Sequence, residues 1–135
     1  MLECNIVESK RVLTTKDPMD PPPRLLCGQV PHHFTGVVTP LARLRSQAPV
    51  YLTRDGSAKG LLASVKACGI SHVKTRGSTV LDMSHLRDPT SLAALRCLRC
   101  ISAGGSPLSP KVIQDVLRIA EPSKLLIVNS YGCTE

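Results

Sequence analysis

Large rings are almost missing from this chain. Its 135 residues include one Phe, two Tyr and no Trp, and rings normally supply much of the buried area of a core. Their scarcity implies a weak core or a piece of something larger. No run of 18 apolar residues occurs, which excludes a spanning helix. Glu3 and Glu8 interrupt the N-terminus, where an apolar signal segment would stand. The last residues, Gly132-Cys133-Thr134-Glu135, form no peroxisomal address. With no targeting signal, the expected location is intracellular, cytoplasmic or peroxisomal. Wholesale disorder is also excluded, because apolar residues make up 42% and charged residues 20%. The length suits about one domain, able to bury roughly 68% of its unfolded surface.

Acidic residues are scarce in the middle. From Arg43 to Arg99 there are ten Lys/Arg against three Asp/Glu, which accounts for the whole net charge of +7. Such a stretch could meet nucleic acid or another anion. The basic residues are scattered, however, and no rings are interleaved for base stacking. A solvated face is the reading adopted, and no DNA partner is expected. Six cysteines stand at 4, 27, 68, 97, 100 and 133. Free thiols in a reducing compartment are the default without a secretory signal. Cys97-x-x-Cys100 is half a zinc site at best, with no second pair at finger spacing. Both of its thiols are expected to be small core residues.

Residues 1–24 read as an irregular, disorder-prone lead-in, polar and ending in the stiff Pro21-Pro22-Pro23. Beyond them the pattern alternates. Leu25 to Val30 is a short apolar run. Phe34 to Arg45 carries Val37, Val38, Leu41 and Leu44 at helical spacing despite Pro40. Pro49 to Thr53 is rich in strand formers. Ser57 is placed to cap a helix that Gly69 stops. Ser71 to Thr75 is a weaker strand, and Thr79–His85 a further helix. Leu98 to Ser102 is a strand ending at Gly104-Gly105. Ser109-Pro110 is a strong helix start, with Val112, Ile113, Val116, Leu117 and Ala120 as the buried side. Leu125 to Val128 is uninterruptedly aliphatic, as a central parallel strand buried on both faces would be. Strands and helices alternating in this way predict an α/β fold: a partial parallel sheet with flanking helices. His72 and His85 are given solvated or core positions, and Asp82 and Asp88 no role.

In such sheets the ligand lies beyond the carboxyl ends of the strands. Two loops fall there. Gly104 and Gly105 remove side chains, so backbone can lie flat on a ligand, and Pro107 stiffens the exit. In the second loop Tyr131 offers a ring to stack on a base. Thr134 offers a hydroxyl to a phosphate oxygen, and Glu135 a carboxylate to Mg²⁺. A base, a phosphate and a metal served at successive positions is the layout a nucleotide requires.

The two stretches Ile101-Ser102-Ala103-Gly104-Gly105-Ser106-Pro107-Leu108-Ser109 and Asn129-Ser130-Tyr131-Gly132-Cys133-Thr134-Glu135 resemble paired motifs of the adenylate-forming superfamily. That superfamily includes acyl-CoA synthetases, 4-coumarate–CoA ligases and luciferases. The likeness is clearest over 92–135 and extends weakly back to Gln29. It implies that 25–135 is a partial AMP-binding domain, a fragment of the large N-terminal domain. It implies that Gly104, Gly105, Ser106, Pro107, Tyr131 and Gly132 hold the adenine nucleotide. Thr134 would touch the α-phosphate, Glu135 would bind Mg²⁺, and His33 of Pro31-His32-His33 would border the acyl group. The implied substrates are ATP and a small carboxylic acid, joined as an acyl-AMP and passed to CoA. Ser106 stands where the superfamily usually has Ala, and Arg76-Gly77 replaces a Val-Pro near the acyl tunnel. The sequence contains no Ser/Thr/Gly-rich phosphate loop ending in Pro-Lys-Gly. The expectation is therefore a truncated chain, inactive alone, with a non-catalytic nucleotide- or protein-binding remnant as the alternative.

Overall fold

The computed structural model describes residues 23–29, 33–120 and 125–130. Five strands form one sheet: β1 (Leu25–Cys27), β2 (Val50–Leu52), β3 (His72–Arg76), β4 (Cys100–Gly104) and β5 (Leu126–Ser130). Five helices connect them: α1 (Phe34–Arg45), α2 (Ala58–Cys68), α3 (Gly77–His85), α4 (Pro89–Arg96) and α5 (Pro110–Ile119). The spatial order is β2-β1-β3-β4-β5, and every pairing is parallel. The chain steps from β1 outward to β2, then returns past β1 to β3. Right-handed crossovers in opposite directions put α1 on one face of the sheet and α2 on the other. The α/β class read from the alternating pattern is the observed one. Among the described residues no helix is long and apolar enough to cross a membrane.

Local chemistry sets most helix ends. Ser57 accepts from the Gly60 N–H at 3.1 Å and starts α2. Gly69, at φ +60°, ends α2 in the left-handed conformation. Ser109 accepts from the Val112 N–H and Pro110 opens α5. Helix α4 obeys the same rule but had no counterpart in the sequence reading. Asp88, assigned nothing there, accepts from the Ser91 N–H at 2.9 Å, and Pro89 follows in the first turn. That bond holds the Asp88 carboxyl below its ordinary pKa.

The main core lies between the sheet and α2–α5. Leu26, Val73 and Ile101 are register partners in one row, and each is at most 1% exposed. Leu61, Leu62 and Val65 of α2, Val80 and Met83 of α3, Leu95 of α4 and Val116 of α5 close over them. No aromatic ring is fully buried among the described residues, so the interior is aliphatic. The weaker strand candidate, β3, runs between β1 and β4 in the middle of the sheet.

Several expectations are corrected. Strand β5 is not central, because it pairs only with β4 among the described strands. Leu126 is 55% exposed, and Ile127 and Val128 are half-buried. An aliphatic run specifies burial only where a neighbour exists to bury it. On α5, Val116 and Ala120 are buried while Val112, Ile113 and Leu117 are half-buried. Cys100 is buried at the start of β4, but Cys97 is exposed. It caps α4 with its Sγ on the Ala93 carbonyl, and Leu98 takes the core position. The lead-in up to Pro22 lies outside the described residues.

Helix α1 is turned contrary to its composition. Of its apolar set only Val38 is buried, whereas Phe34, Val37, Leu41 and Leu44 face outward. Arg43 is the reason. Its Nη2 donates to the Pro23 carbonyl at 2.8 Å and to the Pro49 carbonyl at 3.0 Å. It thereby ties α1 to the chain entering β1 and β2. Burial of the guanidinium depresses its pKa. The basic middle is otherwise dispersed: Arg45, Arg54, Lys59, Lys66, Arg76, Arg87, Arg96 and Arg99 are all exposed, on several different elements.

His72 opens β3 at the opposite end from the carboxyl rim. It is buried, with Nδ1 2.8 Å from the Ser71 hydroxyl. Burial, with Arg99 and Arg43 nearby, pushes its pKa down to about 4. The unfolded imidazole takes up its proton near pH 6.5, well before the folded one. Stability is therefore intact above pH 6.5 and declines as pH falls toward 4, by on the order of 2–3 kcal/mol in full. In urea denaturation at pH 7 and pH 5, His72→Gln is expected to lose less stability on acidification than the wild type.

Candidate functional site

A wholly parallel sheet brings every carboxyl end to one rim. Gly104 closes β4 directly opposite Ser130, which closes β5. A Cβ on Gly104 would lie 3.5 Å from the Ser130 carbonyl and hydroxyl oxygens. The Ser130 hydroxyl in turn donates to the Ala103 carbonyl at 3.3 Å. The strand ends that precede the two loops singled out in the sequence are therefore side by side. Tyr131, Gly132, Thr134 and Glu135 themselves lie outside the described residues.

The first loop is held at both ends. Gly104 belongs to the strand ladder and Ser109 caps α5, while Leu108 packs against the core. Between them Gly105, Ser106 and Pro107 are exposed. Gly105 has φ +86° with nothing near its missing Cβ, so backbone conformation alone requires glycine there. Ser106 lies over Gly77, the first residue of α3. A Cβ on Gly77 would come 2.5 Å from the Ser106 hydroxyl and 3.0 Å from its carbonyl oxygen. Gly77 is thus a seat for the loop. Sequence reasoning singled it out only as a departure, because nothing local reveals that approach.

The rim is electropositive on the face that carries α1. Arg76 pairs in register with Gly104, and Lys74 with Ser102, so both basic side chains alternate onto one side of the sheet. Arg76 is exposed and Lys74 half-buried. Helix α3 begins at the rim without a side-chain cap and with no acidic residue in its first turn, an arrangement that favours anions. His33 lies on the same rim as the exposed N-cap of α1. It follows β1, which β3 separates from β4 in the sheet order. Gln29 fills the β1–β3 gap, its Nε2 donating to the Thr75 carbonyl at 3.1 Å.

The buried thiols are poor nucleophiles. Burial raises the Cys27 pKa, partly offset by a backbone hydrogen bond and by Lys74, and pushes Cys100 up to about 11. Among the described residues no three His, Cys, Asp or Glu side chains gather as a metal site. The chemistry on view is the backbone of Gly104-Gly105, flanked by the exposed Ser106 and Pro107, with the exposed Arg76 beside it on the next strand.

No protein-family model matches the sequence, and no curated protein matches it. Solved structures do. A luciferase-like enzyme from the nonluminescent mealworm Zophobas morio is 15% identical with a TM-score of 0.73, over 99% of this chain and 30% of that one. O-succinylbenzoate coenzyme A synthetase from Bacillus subtilis, in complex with ATP and magnesium ion, is 21% identical with a TM-score of 0.70, over 99% and 26%. A malonyl-CoA ligase bound to methylmalonyl-CoA and AMP is 19% identical with a TM-score of 0.73, over 96% and 28%. All three belong to the adenylate-forming superfamily. At these identities the likeness is one of fold. The chain spans between a quarter and a third of the length of these enzymes and has the fold of that stretch.

The glycines separate backbone strain from contact. Gly105→Ala is expected to cost roughly 1–2 kcal/mol, the left-handed penalty of an L-residue. Gly104→Ala, whose Cβ makes only ordinary contacts, is expected to be neutral or stabilising by up to about 1 kcal/mol. Urea denaturation of the two variants checks the order, and equal costs would show that φ at Gly105 is not the constraint.

Proposed function

We propose that this chain is a portion of an adenylate-forming ligase, and that its own contribution is to hold the adenine nucleotide. The pairing of Gly104 with Ser130 carries the reading. Ser130 is the residue before Tyr131, and the reading has a base lie between the Gly104-Gly105-Ser106-Pro107 backbone and the Tyr131 ring. Gly132 would let the second loop turn close to the nucleotide. The superfamily fold and the positive rim support the same reading.

In the whole enzyme a carboxylate oxygen would attack the α-phosphorus of ATP. An oxygen–phosphorus bond forms as the bond to pyrophosphate breaks, leaving an acyl-AMP, and the acyl group would then pass to the thiol of CoA. Thr134 would donate a hydrogen bond to the α-phosphate, and His33 would border the acyl side. Glu135 is a hard oxygen donor of the kind Mg²⁺ prefers and would hold that ion. When bound, Mg²⁺ neutralises charge on the phosphates. The two neighbours above whose printed ligands include a nucleotide hold ATP or AMP.

A second reading is a remnant that binds nucleotide without catalysis. Equilibrium dialysis with ATP tests the shared claim. Tyr131→Ala is expected to weaken retention about tenfold or more, because base–ring stacking is worth roughly 1–3 kcal/mol. Equal retention by wild type and variant would remove the clasp. Carboxylate-dependent exchange of pyrophosphate into ATP separates the readings: turnover identifies a competent ligase, and binding without turnover identifies the remnant.

A further inference from the structure

Position 77 has no local reason to be glycine. Gly77 is the first residue of α3 and takes no positive φ. Alanine is the better helix former there. What excludes a side chain is the loop after β4. The nearest atoms to a Cβ on Gly77 would be the Ser106 hydroxyl at 2.5 Å, the Ser106 carbonyl oxygen at 3.0 Å and the Leu108 Cδ2 at 3.5 Å. All three belong to the segment between β4 and α5. The sheet ladder sets this approach. Arg76 pairs with Gly104, and β3 passes into α3 with no residue between them. One row of the sheet therefore fixes the start of α3 and the start of the loop together. Ser106 then arrives over backbone that carries no side chain.

A group inserted at 77 has only one part of the loop to displace. Gly104 is held by the ladder on both sides, to Arg76 and to Ser130. Ser109 is held by its hydrogen bond from the Val112 N–H, and Leu108 packs against the core. The exposed middle, Gly105 to Pro107, takes the shift.

We propose that Gly77 is a positioning residue for this loop and acts as a pair with Ser106, its missing side chain setting the height of the Gly105-Ser106-Pro107 backbone. Its effect on binding rests on the nucleotide reading above, while the packing pair stands on the contact alone. Gly77 and Ser106, two separate departures in the sequence, become one feature. The hydroxyl occupies the volume that a side chain at 77 would fill.

The experiment is a double-mutant cycle in the full chain, Gly77→Ala with and without Ser106→Ala. In urea denaturation Gly77→Ala is expected to lower the transition midpoint, against its helix propensity, and to lower it less where Ser106→Ala has removed the nearest atom. In equilibrium dialysis Gly77→Ala is expected to weaken ATP retention about fivefold or more, and less than about twofold in the Ser106→Ala background. Val65→Ala is the control. Val65 is buried in α2, and its carbonyl accepts from the Ile70 N–H at the amino end of the sheet. Its loss is expected to lower the midpoint and leave ATP retention unchanged. A Gly77→Ala protein as stable as the wild type, or destabilised equally in both backgrounds, overturns the pair. Unchanged ATP retention in Gly77→Ala, or equal weakening by Val65→Ala, overturns the positioning role. If the wild type retains no ATP, the nucleotide reading falls and the binding effect with it, and the urea cycle still decides the pair. If Gly77→Ala does not fold, recovery in the double variant supports the pair and its absence overturns it.

Discussion

Parallel pairing is the constraint from which the remaining structure follows. Parallel strands cannot be joined by a tight turn, so each of the four connections carries at least one helix. Those crossovers deliver every strand's carboxyl end to the same rim. Gly104 and Ser130 are 26 residues apart in sequence and neighbours in the ladder for that reason alone. The loop after β4 gains a fixed entry from the ladder, a fixed exit from the Ser109 cap, and a seat on Gly77. In its exposed middle, nothing lies near the Cα of Gly105 where a side chain would start.

The same topology leaves the two faces of the sheet unequal. Helices α2 to α5 cover one face with an aliphatic core, and the half-buried Tyr51 ring packs against it. The other face is covered by α1, which packs on β1 and β2. Arg43 decides how α1 sits, because its hydrogen bonds to Pro23 and Pro49 need the guanidinium beneath the helix. A rigid fork with several donors can satisfy two carbonyls at once, as few other side chains could. Turning Arg43 inward turns Phe34, Val37, Leu41 and Leu44 outward. Composition alone would have assigned those four to the core.

Charge at the two ends of the sheet is handled differently. At the amino end, His72 lies close to the buried Arg43 and the exposed Arg99, and stays neutral because burial strips water from its charged form and both cations repel it. At the carboxyl end, Arg76 is exposed and the first turn of α3 adds partial positive charge. Positive charge that is a burden in the interior is an attractant at an open rim. The near-absence of acidic residues from Arg43 to Arg99 therefore has two structural meanings, depending on depth.

Short-range chemistry made much of the chain legible. Ser57, Gly69, Ser109-Pro110 and the alternation of apolar patterns located α2, α5, the strands and the α/β class, since caps and periodicity act over a few residues. The Asp88-Pro89 start of α4 was equally local and was passed over. The Gly104-Gly105-Ser106-Pro107 loop was legible as a motif, whereas the φ of +86° that requires glycine at 105 was not. Long-range facts were not written locally. Which strand lies at an edge, which side of α1 faces inward, and the contact of Gly77 with Ser106 depend on segments brought together by the fold. The sequence by itself determined the elements and the residue types of the rim. Only tertiary structure decided their neighbours, because burial and pairing are properties of two segments at once.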